Sequence, residues 1–308
     1  MKASEPAVAS AVRPAPHAPL AAPRAWRARR IAASFICVPH RRPPGVLQAV
    51  LLAAALVFFV LPVAFLLATS FKSRDDVLSG NFLPQTATLD NWPAVFALTP
   101  LHVNLLNSLV VAAGGTLVSL LVAVPAVYAV VRLERGRALA SALLSSYVAP
   151  PVAALLPLFF GMRALHLTNS LAGLALVEGL LNVPVAFWLL RSFFLQVPRH
   201  LDEAAWLEGV SPWRSLMRIN LPLLRPGLIA TALICLILTY NEFLFASVFN
   251  SRPDLRTIPV ALSLFQGERI VNFGQMAAAS LVGIVPVYLL ALLFQRQLVK
   301  GFESTSSL

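Results

Sequence analysis

Charge is scarce in this sequence. Only 12% of its 308 residues are Asp, Glu, Lys or Arg, where a soluble chain carries about 25%. Hydrophobic residues make up 58%, and the mean hydropathy is +0.78. A chain with so little charge cannot cover a water-facing surface, so lipid must be its solvent. Intrinsic disorder and coiled coils are excluded on the same ground. Lysine is almost missing, with Lys2, Lys72 and Lys300 as the complete set. There are two cysteines, Cys37 and Cys235. They fit neither a disulfide framework nor a metal spacing and read as free thiols. No G-x-x-x-x-G-K-[ST] occurs, so no P-loop cradles nucleotide phosphates. His17, His40, His102, His166 and His200 are scattered and make no H-E-x-x-H. No metal site, no Ser/His/acid arrangement and no cofactor motif stands out.

What the sequence has is long apolar runs. Six are found: Val46–Ser70, and then about Leu105–Val131, Ala138–Gly161, Leu171–Leu190, Leu228–Phe249 and Gln275–Phe294. A transmembrane helix needs roughly 20 apolar residues at about 1.5 Å each. The spacing therefore predicts an all-α polytopic membrane protein with six transmembrane helices. No ten-residue alternation suggests a lipid-facing barrel.

The net charge is +11, and its placement gives an orientation. With the N-terminus inside, 18 basic residues lie on inner segments and six on outer ones. The positive-inside rule then puts both termini in the cytoplasm. This accounts for the basic balance without nucleic acid, and no aromatic-lined basic groove is evident. Residues 1–45 are rich in Ala, Pro and Arg, with one acid, Glu5. They read as a disordered basic cytoplasmic tail, with an organelle transit peptide as the other reading. The remaining boundaries are 46–103 for the first span and outer segment, 104–296 for the transmembrane core, and 297–308 for a cytoplasmic C-terminal tail. Within Phe71–Asn104, Asn81, Gln85, Thr86 and Asn91 offer adaptable hydrogen bonds for an external partner.

The inner connection at 196–224 carries the most information. Pro198 suits a first helical turn, and Asp202 and Glu203 complement the dipole there. Gly209 suits the left-handed position that ends a helix. Ser211 and Pro212 read as N-cap and N1 of a second short helix. That helix is expected to stop near Leu221-Pro222, because proline disfavours the α region in the residue before it. Ala204 and Ala205 keep one surface slim, as insertion into a partner's groove requires. An ordinary amphipathic helix lying on the membrane is the plainer alternative.

The order E-A-A, three residues, G, nine residues, I, one residue, L-P resembles that of the permease subunits of bacterial ABC importers. Here it is Glu203-Ala204-Ala205, Gly209, Ile219 and Leu221-Pro222. Thr239-Tyr240-Asn241-Glu242-Phe243-Leu244-Phe245-Ala246 is similar to a stretch of sugar-importer permeases, with Tyr240 in place of the usual Trp. Arg256-Thr257-Ile258-Pro259-Val260, Gly274-Gln275-Met276-Ala277-Ala278 and Phe294-Gln295-Arg296 extend the likeness. It covers roughly residues 46–301 and is greatest to the MalG-type permeases of maltose-like importers.

The resemblance implies a type I ABC importer transmembrane domain in the bacterial inner membrane. Glu203, Ala204, Ala205, Gly209, Ile219, Leu221 and Pro222 would form a coupling helix docked on a separate ATPase. The implied partners are a second homologous permease subunit, two ABC ATPase subunits and an extracellular or periplasmic solute-binding protein, all around membrane lipid. The cargo would be a sugar, oligosaccharide or polyol. No cofactor is implied for this chain, since ATP would be bound by the partner. A self-contained secondary transporter or channel is the alternative, and would need repeated halves and coupling-ion acids. A non-transporting membrane scaffold is a third reading.

Two acids lie inside predicted spans. An ionised side chain at mid-membrane costs about 2.5–3.5 kcal/mol on insertion scales, so each needs a wet cavity or a partner. Glu178 either lines the pathway or bonds another helix. Glu242 is assigned a structural place near the outer end of span five, with pathway lining as the alternative, and Asn241 adjoins it. Pro150 and Pro151 free carbonyls in the third span and either line the pathway or form a packed kink.

Overall fold

The structure, a computed structural model, describes residues 45–147, 149–265 and 272–305. The basic tail, apart from Gly45, and with it Cys37, lies outside the described residues. The described residues divide into two units, 45–57 and 58–305. Among the described residues the chain is helical, with no strand beyond one isolated antiparallel bridge between Lys72 and Ala87.

All six apolar runs are helical, but three are broken. Helix α1 is Val46–Ser70. It is apolar all round, and none of its most apolar 18-residue window is buried, as lipid or a partner subunit requires. Helix α2 is Leu101–Val131. The third run splits into α3, Arg137–Ser146, and α4, Pro151–Ala164. Pro150 sits at the break in an extended conformation (φ −58°, ψ 128°), because the ring of Pro151 excludes it from the α region. The 14 residues of α4 reach about 21 Å, less than the roughly 30 Å hydrocarbon core. The fourth run is α5, Leu171–Leu181, and α6, Val183–Gln196, bent by 50°. The bend centres on Asn182, two residues before Pro184, which has no N–H to continue the ladder.

The inner connection forms α7, His200–Leu207, and α8, Pro212–Leu223. The fifth run is α9, Arg225–Tyr240, and α10, Leu244–Phe249. Helix α11 is Ile258–Leu264 and α12 is Phe273–Thr305. Helix α12 thus runs through the boundary expected at 296. Helices α1, α2 and Phe273–Phe294 of α12 are each long and apolar enough to cross a membrane unbroken.

Helix α2 is the central element, packed against α5, α6 and α9. Small residues make this possible, as is common where helices pack in lipid. A Cβ at Gly179 would lie 2.7 Å from the Gly115 carbonyl oxygen, so α5 and α2 are in backbone contact there. Ser119 Oγ donates to the Gly179 carbonyl at 2.8 Å across the same crossing. On α9, Thr239 Oγ1 accepts from Asn182 Nδ2 at 2.9 Å. An inner core gathers Val127, Phe187, Leu190, Phe194 and Leu216, and a second gathers Val111, Leu174, Phe245 and Phe249.

Candidate functional site

The 196–224 connection is a two-helix unit. Helix α7 begins at His200 with Asp202 and Glu203 in its first turn. Gly209 adopts φ +80°, as its place after α7 led one to expect, and reverses the chain. Ser211 Oγ accepts from Arg214 N at 3.4 Å, capping α8, and Pro212 follows at N1.

Helix α8 does not stop before Pro222. Leu221 is helical (φ −57°, ψ −43°), and α8 continues to Leu223. Leu216–Asn220 is a π turn, with Leu221 N–H bonded to the Leu216 carbonyl. The wider turn gives the Pro222 ring room, so proline is absorbed rather than ending the helix. The chain turns one step later, at Leu224, and α8 meets α9 at 83°.

The motif residues divide by side. Glu203, Ala204, Gly209 and Pro222 are exposed, Ile219 and Leu221 are half-buried, and Ala205 is buried. Ala205 therefore faces the protein's own core rather than a docking surface. The outer face carries apolar residues that the motif did not single out. Leu207, the last residue of α7, is 90% exposed, and Trp213 is 60% exposed. Glu203 Oε1 lies 3.1 Å from Arg199 Nε, and Arg199 Nη1 lies 3.0 Å from Glu134 Oε1. Arg199 and, more weakly, Arg137 hold the Glu134 carboxyl below its ordinary range.

Beneath this face is a buried polar cluster. Asp202 is 0% exposed and Arg132, at the end of α2, is 4% exposed. Arg132 Nε meets Asp202 Oδ2 at 2.9 Å. Asp202 Oδ1 accepts from Ser215 Oγ at 2.5 Å and Asn220 Nδ2 at 2.8 Å. Tyr128 Oη donates to the same oxygen at 3.4 Å. Arg132 Nη2 donates to the carbonyls of Phe194, 3.2 Å, and Val197, 2.6 Å. In sequence, Asp202 reads only as a dipole-complementing acid, and Arg132 is one of the 18 basic residues of the inner segments. The pairing spans 70 positions and no local spacing signals it.

The candidate pathway residues are only partly brought together. Glu178, 3% exposed, has its carboxyl against that of Glu242. Glu242 also caps α10, accepting from Phe245 N at 3.0 Å and Ala246 N at 3.1 Å. Asn241 is exposed in the α9–α10 break, its Nδ2 donating to Ile237 O at 2.8 Å. Pro150 and Pro151 are exposed at the α3–α4 break. In the outer segment, Asn81, Gln85 and Thr86 are exposed. Asn91 is buried, and its amide donates to the carbonyls of Ser70 and Lys72, both at 2.9 Å. It is therefore committed to the fold and offers nothing to an external partner.

The family model for the binding-protein-dependent transport system inner membrane component matches residues 115–303, and the 196–224 connection lies inside that range. The chain belongs to this family. It is a multi-pass inner-membrane permease subunit, a class that is not itself the catalyst and that works with ATPase and substrate-binding partners. The permease is 38% identical over 253 residues to the sulfoquinovosyl glycerol transport system permease protein SmoH of Agrobacterium fabrum, covering 81% of this chain and 89% of that one. It is 33% identical over 264 residues to the trehalose/maltose transport system permease protein MalG of Thermococcus litoralis, covering 84% and 94%. A solved bacterial ABC transporter that imports the acidic polysaccharide alginate contains a chain of the same fold. That match has a TM-score of 0.69 at 21% identity and covers 82% of this permease and 95% of that chain.

Proposed function

We propose that this permease forms half of the transmembrane pathway of an ATP-driven carbohydrate importer. A second, homologous permease completes the pathway, two ATPase subunits dock at the inner face, and a solute-binding protein delivers cargo outside. The cargo class rests on relatives whose names specify sulfoquinovosyl glycerol and trehalose/maltose transport. Both termini lie in the cytoplasm, a reading supported by the 18-to-6 split of basic residues between alternate segments. ATP is bound and hydrolysed by the partner, and the chain needs no cofactor of its own. The exposed Asn81, Gln85 and Thr86 of the outer segment supply hydrogen bonds to the binding protein.

The observation that carries this reading is the outer face of α7 and α8. A Leu207 side chain 90% exposed at a helix end, flanked by Glu203 and Glu208, is a poor surface for water and a good knob for a protein groove. A solute-coupled transporter without an ATPase has no use for it. Burying a leucine contributes about 1.5–3 kcal/mol, so Leu207→Asp should weaken ATPase association by at least about tenfold. The measurement is ATPase co-purification at equal membrane abundance, with carbohydrate uptake in the same cells. Normal uptake in Leu207→Asp would remove the docking role. The purified permease alone should hydrolyse no ATP above a contaminant control.

A further inference from the structure

We propose that Asp202 and Arg132 are positioning residues that lock the coupling unit to the inner ends of α2 and α6, so that the three move as one body during transport. This rests on the reading of α7–α8 as the ATPase-docking unit. The geometry is that of a keystone. Asp202 belongs to α7. Of the three groups that donate to its Oδ1, Ser215 and Asn220 belong to α8 and Tyr128 to α2. Its other oxygen meets Arg132 at the end of α2. Arg132 in turn bonds the carbonyls of Phe194 and Val197, at the end of α6. The Phe194 carbonyl also accepts from Val197 N at 3.3 Å, while the Val197 carbonyl lies past the last turn of α6, where a helix end leaves carbonyls for other donors. Four segments therefore meet at one ion pair.

Stability is a poor explanation for such a pair. Two charges withdrawn from water lose hydration that their attraction only partly restores, and apolar residues of similar volume commonly hold a fold as well. What a buried, multiply bonded pair adds is a fixed relative position, since any slip between the segments would strand a charge. The outer pairs differ. Arg199–Glu203 and Arg199–Glu134 are half-exposed, where water screens the charges and exchange is cheap. The outer pairs can re-partner on an ATPase while the inner pair holds the unit to the membrane helices. A push on Leu207 then turns α2, and α2 carries the packing of α5 and α9.

The test uses the complete transporter reconstituted in liposomes. In the first arm Arg132→Met/Asp202→Leu replaces the lock by apolar side chains. We expect the complex to assemble with its ATPase and to hydrolyse ATP, while cargo transported per ATP falls about tenfold, the scale of a lost charge-assisted contact. A role in folding alone would lower abundance and leave that ratio unchanged. An unchanged ratio at normal assembly overturns the proposal. The second arm leaves the lock intact, so it does not depend on the variant folding. Spin labels replace Arg135 and Glu208, both exposed, in a cysteine-free background. Their separation should be the same without nucleotide and with a non-hydrolysable ATP analogue. A nucleotide-dependent change in that separation overturns the rigid link. If instead a complex whose permease carries Leu207→Asp, with the lock intact, binds its ATPase and transports normally, the docking reading fails, and the lock loses its role in coupling with it.

Discussion

Single residues set the precision of the coupling unit. Gly209 has open space around its α-carbon but a φ of +80°, so a side chain there meets backbone strain and not a neighbour. The left-handed region costs a non-glycine residue about 1–2 kcal/mol, with β-branched residues worst placed. Gly209→Val should shift α8 against α7, reduce ATPase co-purification and leave membrane insertion intact. Glu203→Lys removes the half-exposed Arg199 pair, which contributes little to stability because water screens the charges. Its abundance should match the unmodified chain while charge reversal on the outer face weakens docking. Uptake at the normal level in both variants would argue that this loop is not the coupling element. Both sites were legible as residues, Gly209 from the need for positive φ and Glu203 from the motif. Leu207 was not, because an apolar residue at a helix end usually faces inward.

At the scale of elements, proline and glycine decide where helices break and where they touch. Pro151 and Pro184 both lie beside breaks, yet Pro222 does not end its helix, because a π turn precedes it. The contact of α2 with α5 depends on Gly115 and Gly179. A valine at 179 would press its Cβ to about 2.7 Å from the Gly115 carbonyl and against Val118. Overpacking of this kind costs about 1–3 kcal/mol, and here the obstruction is backbone that cannot rotate away. Gly179→Val should lower the melting temperature of the detergent-solubilised permease, and Gly179→Ala should do so less. Equal melting of all three proteins would show that the crossing is looser than described.

At the scale of the whole molecule, most apolar helices present large exposed side chains, among them Phe58, Leu121, Phe160 and Tyr288. In water this would aggregate; in lipid it is the surface required. The orientation follows from charge and is open to test. A reporter fused after Lys300 should read cytoplasmic, and one inserted near Gln85 should read external. Both reporting from the same side would contradict the topology.

The sequence by itself determined the solvent, the positions of the apolar helices and the family motif at 203–222. Each depends on local quantities: hydropathy over about 20 residues, charge on short connections, and the φ that only glycine adopts freely. Tertiary structure decided the rest. Asp202 and Arg132 became one buried pair, Asn91 became a strut, and Ala205 turned inward. Glu178, from the fourth apolar run, came to lie against Glu242, from the fifth. Each of these depends on which helix packs beside which, and that is fixed by backbone contact at residues such as Gly115 and Gly179. A linear reading shows such glycines as small residues and does not show what they let approach.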